Sequence, residues 1–503
     1  MRSLRAAFRQ IHRPLQALAS PTLPRRILSN RGFATSIPAA ELDFGQPVHE
    51  THPHLLQAGE ITPGITAQEY ADRRAKLAFS LPEGGVAVLP SAETKYRSGA
   101  VFYSFRQESN FLYLTGFSEP QSLAVIRKTG PSLGDYTFHL FCRPKDALAE
   151  QWAGPWSGLR AAEDVFNADE AADINSLAVL LPPLLRSANR IYTDAPLSST
   201  SELSSPLSLP SIIRALPTTP STAPLSPLVN ALRAIKSPAE VEVMRHTGRV
   251  SGRAITAAMS RPWSTEPDLH NFLAHAFTND NCTGPAYVPV IAGGRRGRMI
   301  HYTHNTARLR GDEMILVDAG AEYGWYITDI TRVWPASGRF TQPQRDLYAA
   351  VLAVQRKGVA LCTARAGLSL DEVHRVTESA LQEELTQLGF DFASGSLLRS
   401  RGDLMSTLFP HHVGHYVGLD VHDVPGYPRS VPMKPGHCVT IEPGVYVPDD
   451  ERFPKHFRGL AVRIEDSVCV GEEDPLVLTP EAVKELDDIE ALRWGTKPTE
   501  TPV

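Results

Sequence analysis

The stretch MILVDAGAEYGWYITDITR, from Met314 to Arg332, predicts a β-hairpin. Two runs rich in strand-forming residues, Met314–Ala319 and Trp325–Thr331, lie on either side of the dipeptide Tyr323-Gly324, which is a turn signal. With this dipeptide as the turn, residues at equal distances on its two sides face each other across the hairpin.

Asp318 and Asp329 occupy such facing positions. Their side chains would leave the same face of neighbouring strands, with Cβ atoms ~5 Å apart. Two carboxylates at that distance repel each other and lose hydration unless a cation lies between them. The alternative is that one of them is hydrated at a strand end. The hairpin alone leaves a metal site and this alternative open.

Length and composition indicate a protein of two folded domains. A chain of 503 residues is too long for one ordinary domain. Its composition, with 42% hydrophobic and 21% charged residues, is typical of a globular protein. No apolar run approaches ~18 residues, so no membrane-spanning helix is expected. The five cysteines are scattered without a CxxC motif, which predicts buried thiols rather than disulfides or a zinc-thiolate site.

Residues 1–33 have the composition of a mitochondrial presequence. They contain seven arginines and no acidic residue, and apolar residues recur at helical spacing from Leu4 to Leu15. The alternative is a disordered basic tail. Removal of residues 1–33 would leave 43 Lys and Arg against 55 Asp and Glu, a formal net charge of −12. A broad nucleic-acid surface is therefore not expected.

After an N-terminal extension over residues 34–63, the pattern of residues 64–195 predicts an α/β domain. A helix is predicted over 66–79, and a mixed sheet is expected from the strand-like runs, which are 85–90, 111–115, 122–127, 136–142 and 190–193. Residues 196–230 are rich in serine, proline and leucine, which predicts a linker or an irregular connection.

Residues 231–495 are predicted to form a second, α+β domain. It begins at Ser237-Pro238-Ala239-Glu240, where serine is a helix N-cap, proline occupies the first turn and glutamate lies three residues on. This helix is expected to run to about Met259. Further helices are predicted over 266–279, 342–358 and 369–388, between strand-like stretches.

Four more groups in the second domain add to the two aspartates. His411-His-Val-Gly-His415 opens a glycine-punctuated loop, and Glu442 ends the apolar run that begins at Cys438. In Leu460–Asp466 the alternation places Arg463 and Glu465 on one face of a strand. Singly each group has an ordinary explanation: a histidine is usually not a ligand, and Arg463 could simply pair with Glu465.

Together these residues supply four carboxylates and one imidazole. Inward-facing carboxylates on strands are rarely buried unless they are paired or metal-bound. An oxygen-rich site with one nitrogen ligand suits Mn²⁺ or a similar divalent ion, and carboxylates can bridge two such ions. Two bridged ions can activate a water molecule as a nucleophile, so a metal-dependent hydrolase is expected.

The motifs also resemble those of a known family. They are HYTHN (301–305), VDAGAEYGWYITDITR (317–332), HHVGHYVGLDVHD (411–423), TIEPGVY (440–446) and VRIED (462–466). In order and spacing they are similar to the motif set of the pita-bread metallopeptidases, and within them to the Xaa-Pro aminopeptidase (aminopeptidase P) branch. FRQESNFLYLTGF (105–117) and EQWAGPWSG (150–158) resemble the N-terminal domain of that branch. The resemblance therefore implies a pita-bread catalytic domain behind an aminopeptidase P-type α/β domain.

By position, the resemblance implies two divalent ions, with Mn²⁺ expected, and a ligand set in which Asp329 and Glu465 bridge. The implied ligands are Asp318, Asp329, His415, Glu442 and Glu465. Arg463 would orient Glu465, and Tyr446 would act nearby in the same way.

The resemblance also implies four catalytic or pocket residues. Glu442 would handle the proton of the attacking water. His422 would hydrogen-bond the scissile carbonyl or its oxyanion and help to protonate the leaving nitrogen. His301 and His411 would line the pocket beyond the scissile bond.

The resemblance and the presequence together suggest an aminopeptidase that removes one N-terminal residue from imported mitochondrial precursors. Its substrates would be peptide or protein N-termini, and its location the mitochondrial matrix, with peripheral attachment to the inner membrane left open. A homodimer is an open possibility. If the first cut fell after Gly32, the chain itself would expose Phe33-Ala34, a junction of the type it would trim.

Four alternatives compete with this function. Two are a general Xaa-Pro aminopeptidase acting on short peptides and a prolidase-type dipeptidase, which the motifs separate poorly. A metal-free amidinohydrolase of the creatinase type would lack the five ligands that are present here. A non-catalytic peptide-binding scaffold would typically have lost some of them.

Overall fold

The computed structural model describes residues 43–494 except 187, 196–208, 217–219 and 393–400. The predicted presequence, residues 1–33, lies outside the described residues, as does the beginning of the extension. The chain forms two compact units that divide between Val229 and Asn230.

The first unit contains short helices around one six-stranded sheet. Its elements are β1 (Glu60–Thr62), β2 (Ile65–Thr66), α1 (Ala67–Ser80), β3 (Gly85–Pro90), β4 (Tyr96–Ser98), β5 (Val101–Phe102), α2 (Ser109–Thr115), β6 (Leu123–Lys128), β7 (Tyr136–Cys142), α3 (Ala147–Ala153), α4 (Gly158–Asp164), β8 (Glu170–Asp173), α5 (Leu177–Leu185), β9 (Arg190–Tyr192), α6 (Leu209–Arg214) and β10 (Ser221–Ala223).

The sheet has the strand order β10-β9-β3-β6-β7-β8. Strand β6 runs antiparallel to both of its neighbours, whereas the other pairs are parallel. Residues Gly85–Leu89 of β3 are buried, as expected for a strand covered on both faces. The predicted α/β class and mixed sheet are confirmed.

The prediction of a strand over 111–115 is wrong, because these residues belong to helix α2. The Glu108 side chain accepts a hydrogen bond from the Phe111 amide and caps the helix, which ends at Gly116 in the left-handed conformation. All seven residues of α2 are buried. A short apolar run that is buried on every side shows neither helical nor strand periodicity in its sequence. Periodicity therefore cannot tell a helix from a strand there.

The range 196–230 is more ordered than a linker in its described part. Strand β10 pairs in parallel with β9 and forms an edge of the six-stranded sheet. Helix α6 buries Leu209, Ile212 and Ile213 against the core of the same unit. Its apolar residues recur at helical spacing within a serine- and proline-rich composition, and burial of these side chains stabilises the helix.

The second unit contains the longer helices and several small sheets. Its elements are α7 (Ser226–Arg233), which crosses the boundary, α8 (Pro238–Met259), α9 (Glu266–Asn279), β11 (Gly284–Pro285), β12 (Val290–Gly293), β13 (Met314–Asp318), β14 (Ala321–Tyr323), β15 (Tyr326–Ile327), β16 (Thr331–Pro335), α10 (Gln342–Ala360), α11 (Leu370–Gln387), α12 (Arg401–Leu408), β17 (Cys438–Ile441), β18 (Gly444–Tyr446), β19 (Ala461–Arg463), β20 (Asp466–Cys469), β21 (Leu476–Val477) and α13 (Leu486–Trp494).

The predicted helices of this unit are confirmed as α8, α9, α10 and α11. At the start of α8, Ser237 and Glu240 form the predicted capping box. Two three-stranded sheets, β12-β13-β16 and β17-β20-β21, provide the strands around the candidate site. Residues of these helices and sheets share one hydrophobic core.

The central hairpin forms, but its predicted register is wrong. Its two-residue turn is Gly324-Trp325, both at positive φ, and not Tyr323-Gly324. Asp318 therefore faces Thr331, and Asp329 lies diagonally across from Asp318. Turns with positive φ at both central residues match the twist of the strands, and this gain outweighs the strain on Trp325. The shift moves the register by two residues, so both aspartates keep the same face.

Among the described residues, no helix is both long and apolar enough to span a membrane. The five cysteines are buried and free, as predicted.

Candidate metal centre

The central hairpin carries the first two candidate ligands. Asp318 ends β13, and Asp329 lies just before β16, where the ladder between the two strands is interrupted. The Tyr287 hydroxyl lies 2.8 Å from Asp318 Oδ1 and 2.5 Å from Asp329 Oδ1. The two carboxylates therefore converge on one point, as their shared face requires.

The loop before β17 brings His415 to the same place. A Cβ at Gly414 would lie 1.9 Å from the Thr440 carbonyl oxygen, so only glycine permits this close approach. The His415 Nδ1–H donates to the Tyr416 carbonyl at 3.0 Å, which leaves Nε2 as the free ligand atom. Nε2 lies 3.5 Å from Asp329 Oδ2 and 3.6 Å from Glu442 Oε1.

The two glutamates come from the ends of neighbouring strands. Glu442 directly follows β17, and Glu465 lies between β19 and β20. The Thr331 hydroxyl donates to Glu465 Oε2 at 2.6 Å. Asp329, His415 and Glu465 each offer a ligand atom within 4.8 Å of the others. The structure thus brings three of the five predicted ligand residues within ligand distance of one another. Asp318 borders this group through the shared Tyr287 hydroxyl, and Glu442 borders it through His415.

Excess negative charge dominates the electrostatics of this centre. Burial, and then the charges of Asp329 and Glu442, raise the pKa of Glu465 well above its usual range. Burial likewise raises the pKa of Glu442 to about 7. Although burial opposes ionisation of Asp329, the hydrogen bond and charge of His415, together with Tyr287 and Arg463, lower its pKa. Despite burial, Asp329 and Glu442 raise the pKa of His415 to about 9.

Arg463 forms its direct ion pair with Asp318, so the ordinary alternative of a simple Arg463–Glu465 pair does not hold. Its guanidinium donates through Nη2 to Asp318 Oδ2 at 2.5 Å, through Nη1 to the Tyr446 hydroxyl at 2.7 Å and through Nε to Thr331 Oγ1 at 2.9 Å. Thr331 then donates to Glu465. Arg463 is therefore linked to Glu465 through Thr331, and β19 ends at Arg463, before Glu465.

Tyr446 links Arg463 to His411. Because its oxygen accepts the Arg463 hydrogen bond, its proton is directed to His411 Nε2, 2.8 Å away. The His411 Nδ1–H donates to the His412 carbonyl at 2.9 Å. Burial, together with the Arg463 charge, lowers the pKa of His411 to about 3, so the ring is neutral with a defined tautomer.

His422 and His301 are the most exposed of the predicted site residues. The His422 ring packs edge-on against His415, with ring centroids 4.5 Å apart. Burial lowers its pKa, and the charges of His415 and His301 add to this effect. His422 therefore lies beside the ligand cluster with an accessible, neutral imidazole.

Four polar residues that support the ligands were missed by the sequence reasoning. Their hydroxyls contact ligand side chains or ligand backbone: Tyr287, Thr331, Thr440 and Ser467. Three of them, Thr331, Thr440 and Ser467, lie on buried strands close to a predicted ligand. A polar residue at such a position in the sequence could have indicated that it supports the ligand. No sequence signal marked Tyr287, since only the pairing of β12 with β13 places it beside the aspartates.

The donor set fits divalent metal ions. Four carboxylates and one imidazole lie close together. Among the described residues, Arg463 is the only arginine or lysine whose side chain contacts a ligand carboxylate directly. Buried carboxylates with raised pKa values would be ionised again by a cation among them. Oxygen-rich donors of this kind prefer hard to borderline ions.

Comparison with known proteins identifies the family. A model of metallopeptidase family M24 matches residues 242–472, and a model of the aminopeptidase P N-terminal domain matches residues 70–192. Over 499 residues the chain is 41% identical to the intermediate cleaving peptidase 55 of Saccharomyces cerevisiae, covering 97% of this chain and 94% of that protein. The chain belongs to metallopeptidase family M24. Its two units have the pita-bread and aminopeptidase P N-terminal folds, as predicted.

Other M24 relatives agree with this assignment. Human Xaa-Pro aminopeptidase 3 is 37% identical over 466 residues, which are 89% of this chain and 90% of that protein. A crystal structure of Icp55 from S. cerevisiae is similar with a TM-score of 0.80 and 40% identity, covering 87% of this chain and 100% of the other. The chain is a metal-dependent aminopeptidase of the Xaa-Pro aminopeptidase type, in a family that uses two divalent ions.

Proposed function

We propose that this M24 enzyme removes a single N-terminal residue from imported mitochondrial precursors after their presequences have been cleaved. The observation that carries the proposal is the cluster of Asp329, His415 and Glu465 in a chain whose relatives over nearly its full length include intermediate cleaving peptidases. One relative, from Arabidopsis thaliana, is named as mitochondrial. The arginine-rich N-terminus supports the mitochondrial location, with the matrix as the proposed compartment.

The residues that would hold two divalent ions are the proposed ligands Asp318, Asp329, His415, Glu442 and Glu465. Two divalent ions held there, for which we propose Mn²⁺, would supply Lewis-acid activation of water and of the scissile carbonyl. Asp318 is held by Arg463 and Glu465 by Thr331, so these carboxylates are fixed before substrate arrives. Fixed carboxylates lower the reorganisation required during the reaction.

Proton handling falls to Glu442 and the surrounding histidines. Glu442 Oε1 lies 3.6 Å from His415 Nε2, and the proposed role of this carboxylate is to accept the proton of the attacking water. His422 would donate a hydrogen bond to the carbonyl oxygen of the cleaved bond. The proposed roles of His411 and His301 are to line the pocket for the residue after the cut, with the His411 ring fixed by Tyr446 and the His412 carbonyl.

A general Xaa-Pro aminopeptidase is the second candidate, because relatives at 36–38% identity carry that name. Matched peptides separate the two functions. The manganese-loaded protein would be given one peptide that begins Phe-Ala-Thr and another that differs only by proline at the second position, with products read by mass spectrometry. Loss of one residue from the first peptide supports precursor trimming. Cleavage of the proline peptide alone would instead establish the general aminopeptidase.

Two other outcomes would contradict both candidates. Metal binding without cleavage of either peptide, combined with hydrolysis of a dipeptide, would establish a prolidase-type enzyme. Failure to bind metal would establish a scaffold. Sequencing the N-terminus of the mature protein tests self-trimming, which predicts a start at Ala34 and is contradicted by retention of Phe33.

We also propose that the enzyme is a homodimer. Helix α3 has no buried residue, and it exposes Leu148 and 90% of the surface of Trp152. Apolar side chains at such exposure are typical of surfaces that a partner covers, and a second copy of the chain is the proposed partner. Sedimentation velocity of the wild type and of Trp152→Glu tests this: a dimer that becomes a monomer supports it, and a wild-type monomer contradicts it.

A further inference from the structure

Two of the five buried cysteines face each other across neighbouring strands. Cys438 begins β17, Cys469 ends β20, and the two residues are directly paired in the antiparallel ladder. No described cysteine other than these two has a cysteine as its ladder partner. This pairing cannot be read from the sequence, because Cys438 and Cys469 lie 31 positions apart in the chain.

The backbone hydrogen bonds show which kind of pair this is. The Val470 amide donates to the His437 carbonyl at 2.8 Å, so the neighbouring pair is hydrogen-bonded. The Cys438 carbonyl accepts instead from Val417, on its other side. Hydrogen-bonded and non-hydrogen-bonded pairs alternate, so Cys438 and Cys469 form a non-hydrogen-bonded pair, with Cα atoms ~4.5 Å apart. A disulfide requires Cα atoms about 4.4–6.8 Å apart, so this pair lies within reach of one.

The two sulfur atoms also interact. The contact between the thiols raises the pKa of Cys438 and lowers the pKa of Cys469. By contrast, burial raises the pKa of Cys142, Cys282 and Cys362 to about 12. Cys438 is fully buried, whereas Cys469 keeps 7% of its surface exposed. Cys469 is therefore the sulfur that a small oxidant would reach first.

The next pair on the same face of these strands supports the candidate metal ligands. Thr440 and Ser467 face each other two residues along from the cysteines. Thr440 accepts from the His415 amide and contacts Glu442 Oε1 at 3.3 Å, and Ser467 bonds the backbone of Asp329. A bond that alters the spacing or twist of β17 and β20 at the cysteines would therefore displace groups that hold three ligands.

We propose that Cys438 and Cys469 are a peroxide-sensitive dithiol whose disulfide weakens metal binding at the neighbouring site. Hydrogen peroxide would transfer one oxygen to the Cys469 thiolate: the O–O bond breaks, an S–O bond forms and hydroxide leaves. Cys438 would then attack that sulfur, forming the S–S bond as the oxygen leaves in water. The two thiols lose two electrons and two protons in total, and the peroxide is reduced to two waters.

The disulfide is expected to be reversible. A non-hydrogen-bonded pair places the Cα atoms at the short end of disulfide geometry, so the strands must shift to accommodate the bond. Strained disulfides are more easily reduced than relaxed ones. The effect on metal binding rests on the proposed function of the site, whereas formation of the disulfide does not.

The first experiment treats the full-length, metal-loaded protein with hydrogen peroxide, alkylates the remaining thiols and maps peptides by mass spectrometry. A 438–469 disulfide that dithiothreitol reverses is expected. Cys438→Ala and Cys469→Ala should each abolish this disulfide, so one variant that folds is sufficient for the test. Cys362→Ala, which removes another buried cysteine, is the matched control and should still form the disulfide. Sulfinic acid on Cys469 with Cys438 still reduced, or a different pairing, would overturn the proposal.

The second experiment measures Mn²⁺ affinity by chelator competition in the reduced and disulfide forms. We expect Mn²⁺ to bind about tenfold more weakly to the disulfide form. This is the lower end of the loss of metal affinity seen when residues that hold the ligands are removed. Equal affinity of the two forms would overturn the coupling between the disulfide and metal binding, whereas absence of Mn²⁺ binding in the reduced form would overturn the proposed function instead.

Glutathione disulfide should leave the two cysteines reduced, because it is too bulky for the small exposed part of Cys469. Formation of the 438–469 disulfide by glutathione disulfide would contradict the assignment of a small oxidant.

Discussion

Glu465 and Asp466 are adjacent in the chain and equally buried, yet they belong to opposite kinds of cluster. Asp466 accepts hydrogen bonds from Arg332, Lys484, Gln355 and Thr479, at distances of 2.5–2.8 Å. Although burial opposes ionisation, Arg332 and Lys484 lower the pKa of Asp466. Glu465 has the Thr331 hydroxyl as its side-chain partner, and its pKa is raised.

The difference shows which face of the strands carries the chemistry. Successive side chains point to opposite faces, so one face receives a carboxylate with its cations built in, and the other a carboxylate without them. A neutralised cluster stabilises the fold by itself. The other cluster sets four carboxylates against Arg463 and His415, and a cation from outside would balance the remaining negative charge, as expected of a metal site. Four substitutions and one pH measurement test this contrast.

The largest effect is expected for Glu465→Gln. The substitution removes one proposed bridging charge, and loss of several kcal/mol of metal-dependent transition-state stabilisation corresponds to a decrease of about 10³-fold in kcat/KM. The metal-free variant should be at least as stable as the wild type, because a repelling carboxylate is gone. Peptide hydrolysis and thermal unfolding check the two statements; retained activity, or a marked loss of metal-free stability, would contradict the contrast.

Asp466→Asn should have the reverse profile. Removing one charge leaves Arg332 and Lys484 buried without their partner, which costs about 3–5 kcal/mol of unfolding free energy. Urea unfolding of the metal-free protein measures this. At a temperature where the variant is folded, its metal affinity should stay within a few-fold of wild type, and a large loss of affinity would show that the two clusters are not separate.

Tyr446→Phe removes the hydroxyl that joins Arg463 to His411. Activity should fall about tenfold to 100-fold, the usual range for outer-shell partners, with a small change in stability. Tyr348→Phe is the matched control, since its hydroxyl bonds the Lys484 carbonyl and no proposed ligand. Equal effects of the two substitutions would contradict a role for Tyr446 at the site.

The pH dependence of the metal-free protein provides a smaller test. The pKa of Glu442 is about 7 in the folded state against an ordinary 4.5, so the folded state holds a proton that the unfolded state has released between these values. Glu442 therefore makes stability fall as pH rises from about 4.5 to 7. Glu442→Gln should remove that decrease from the profile of melting temperature against pH, and an unchanged profile would contradict the raised pKa.

The smallest effect is expected for Asp487→Asn. This side chain is 91% exposed and pairs with Arg345 at 3.1 Å. Surface pairs contribute about 0–1 kcal/mol, so urea unfolding should hardly change. A loss as large as that of Asp466→Asn would show that burial is not what distinguishes the two aspartates.

Local patterns were sufficient to predict the long helices of the second unit. The capping box at Ser237 and the helical periodicity of α8 to α11 depend on residues close in sequence, and these predictions are confirmed. The turn at Gly324-Trp325 was missed because tryptophan is unusual at positive φ, and only the twist of the paired strands favours it there. The helix at Ser109–Thr115 was missed because it is buried on all sides.

The sequence by itself determined the fold class, the long helices of the second unit and the residue types able to bind a divalent ion. Tertiary structure decided the partners: Arg463 binds Asp318 instead of Glu465, Tyr287 reaches both aspartates, and Cys438 meets Cys469. Periodicity is a property of neighbouring residues and can be read locally. A partner distant in the chain is selected by strand register, because a ladder fixes which side chains face each other regardless of their separation in sequence.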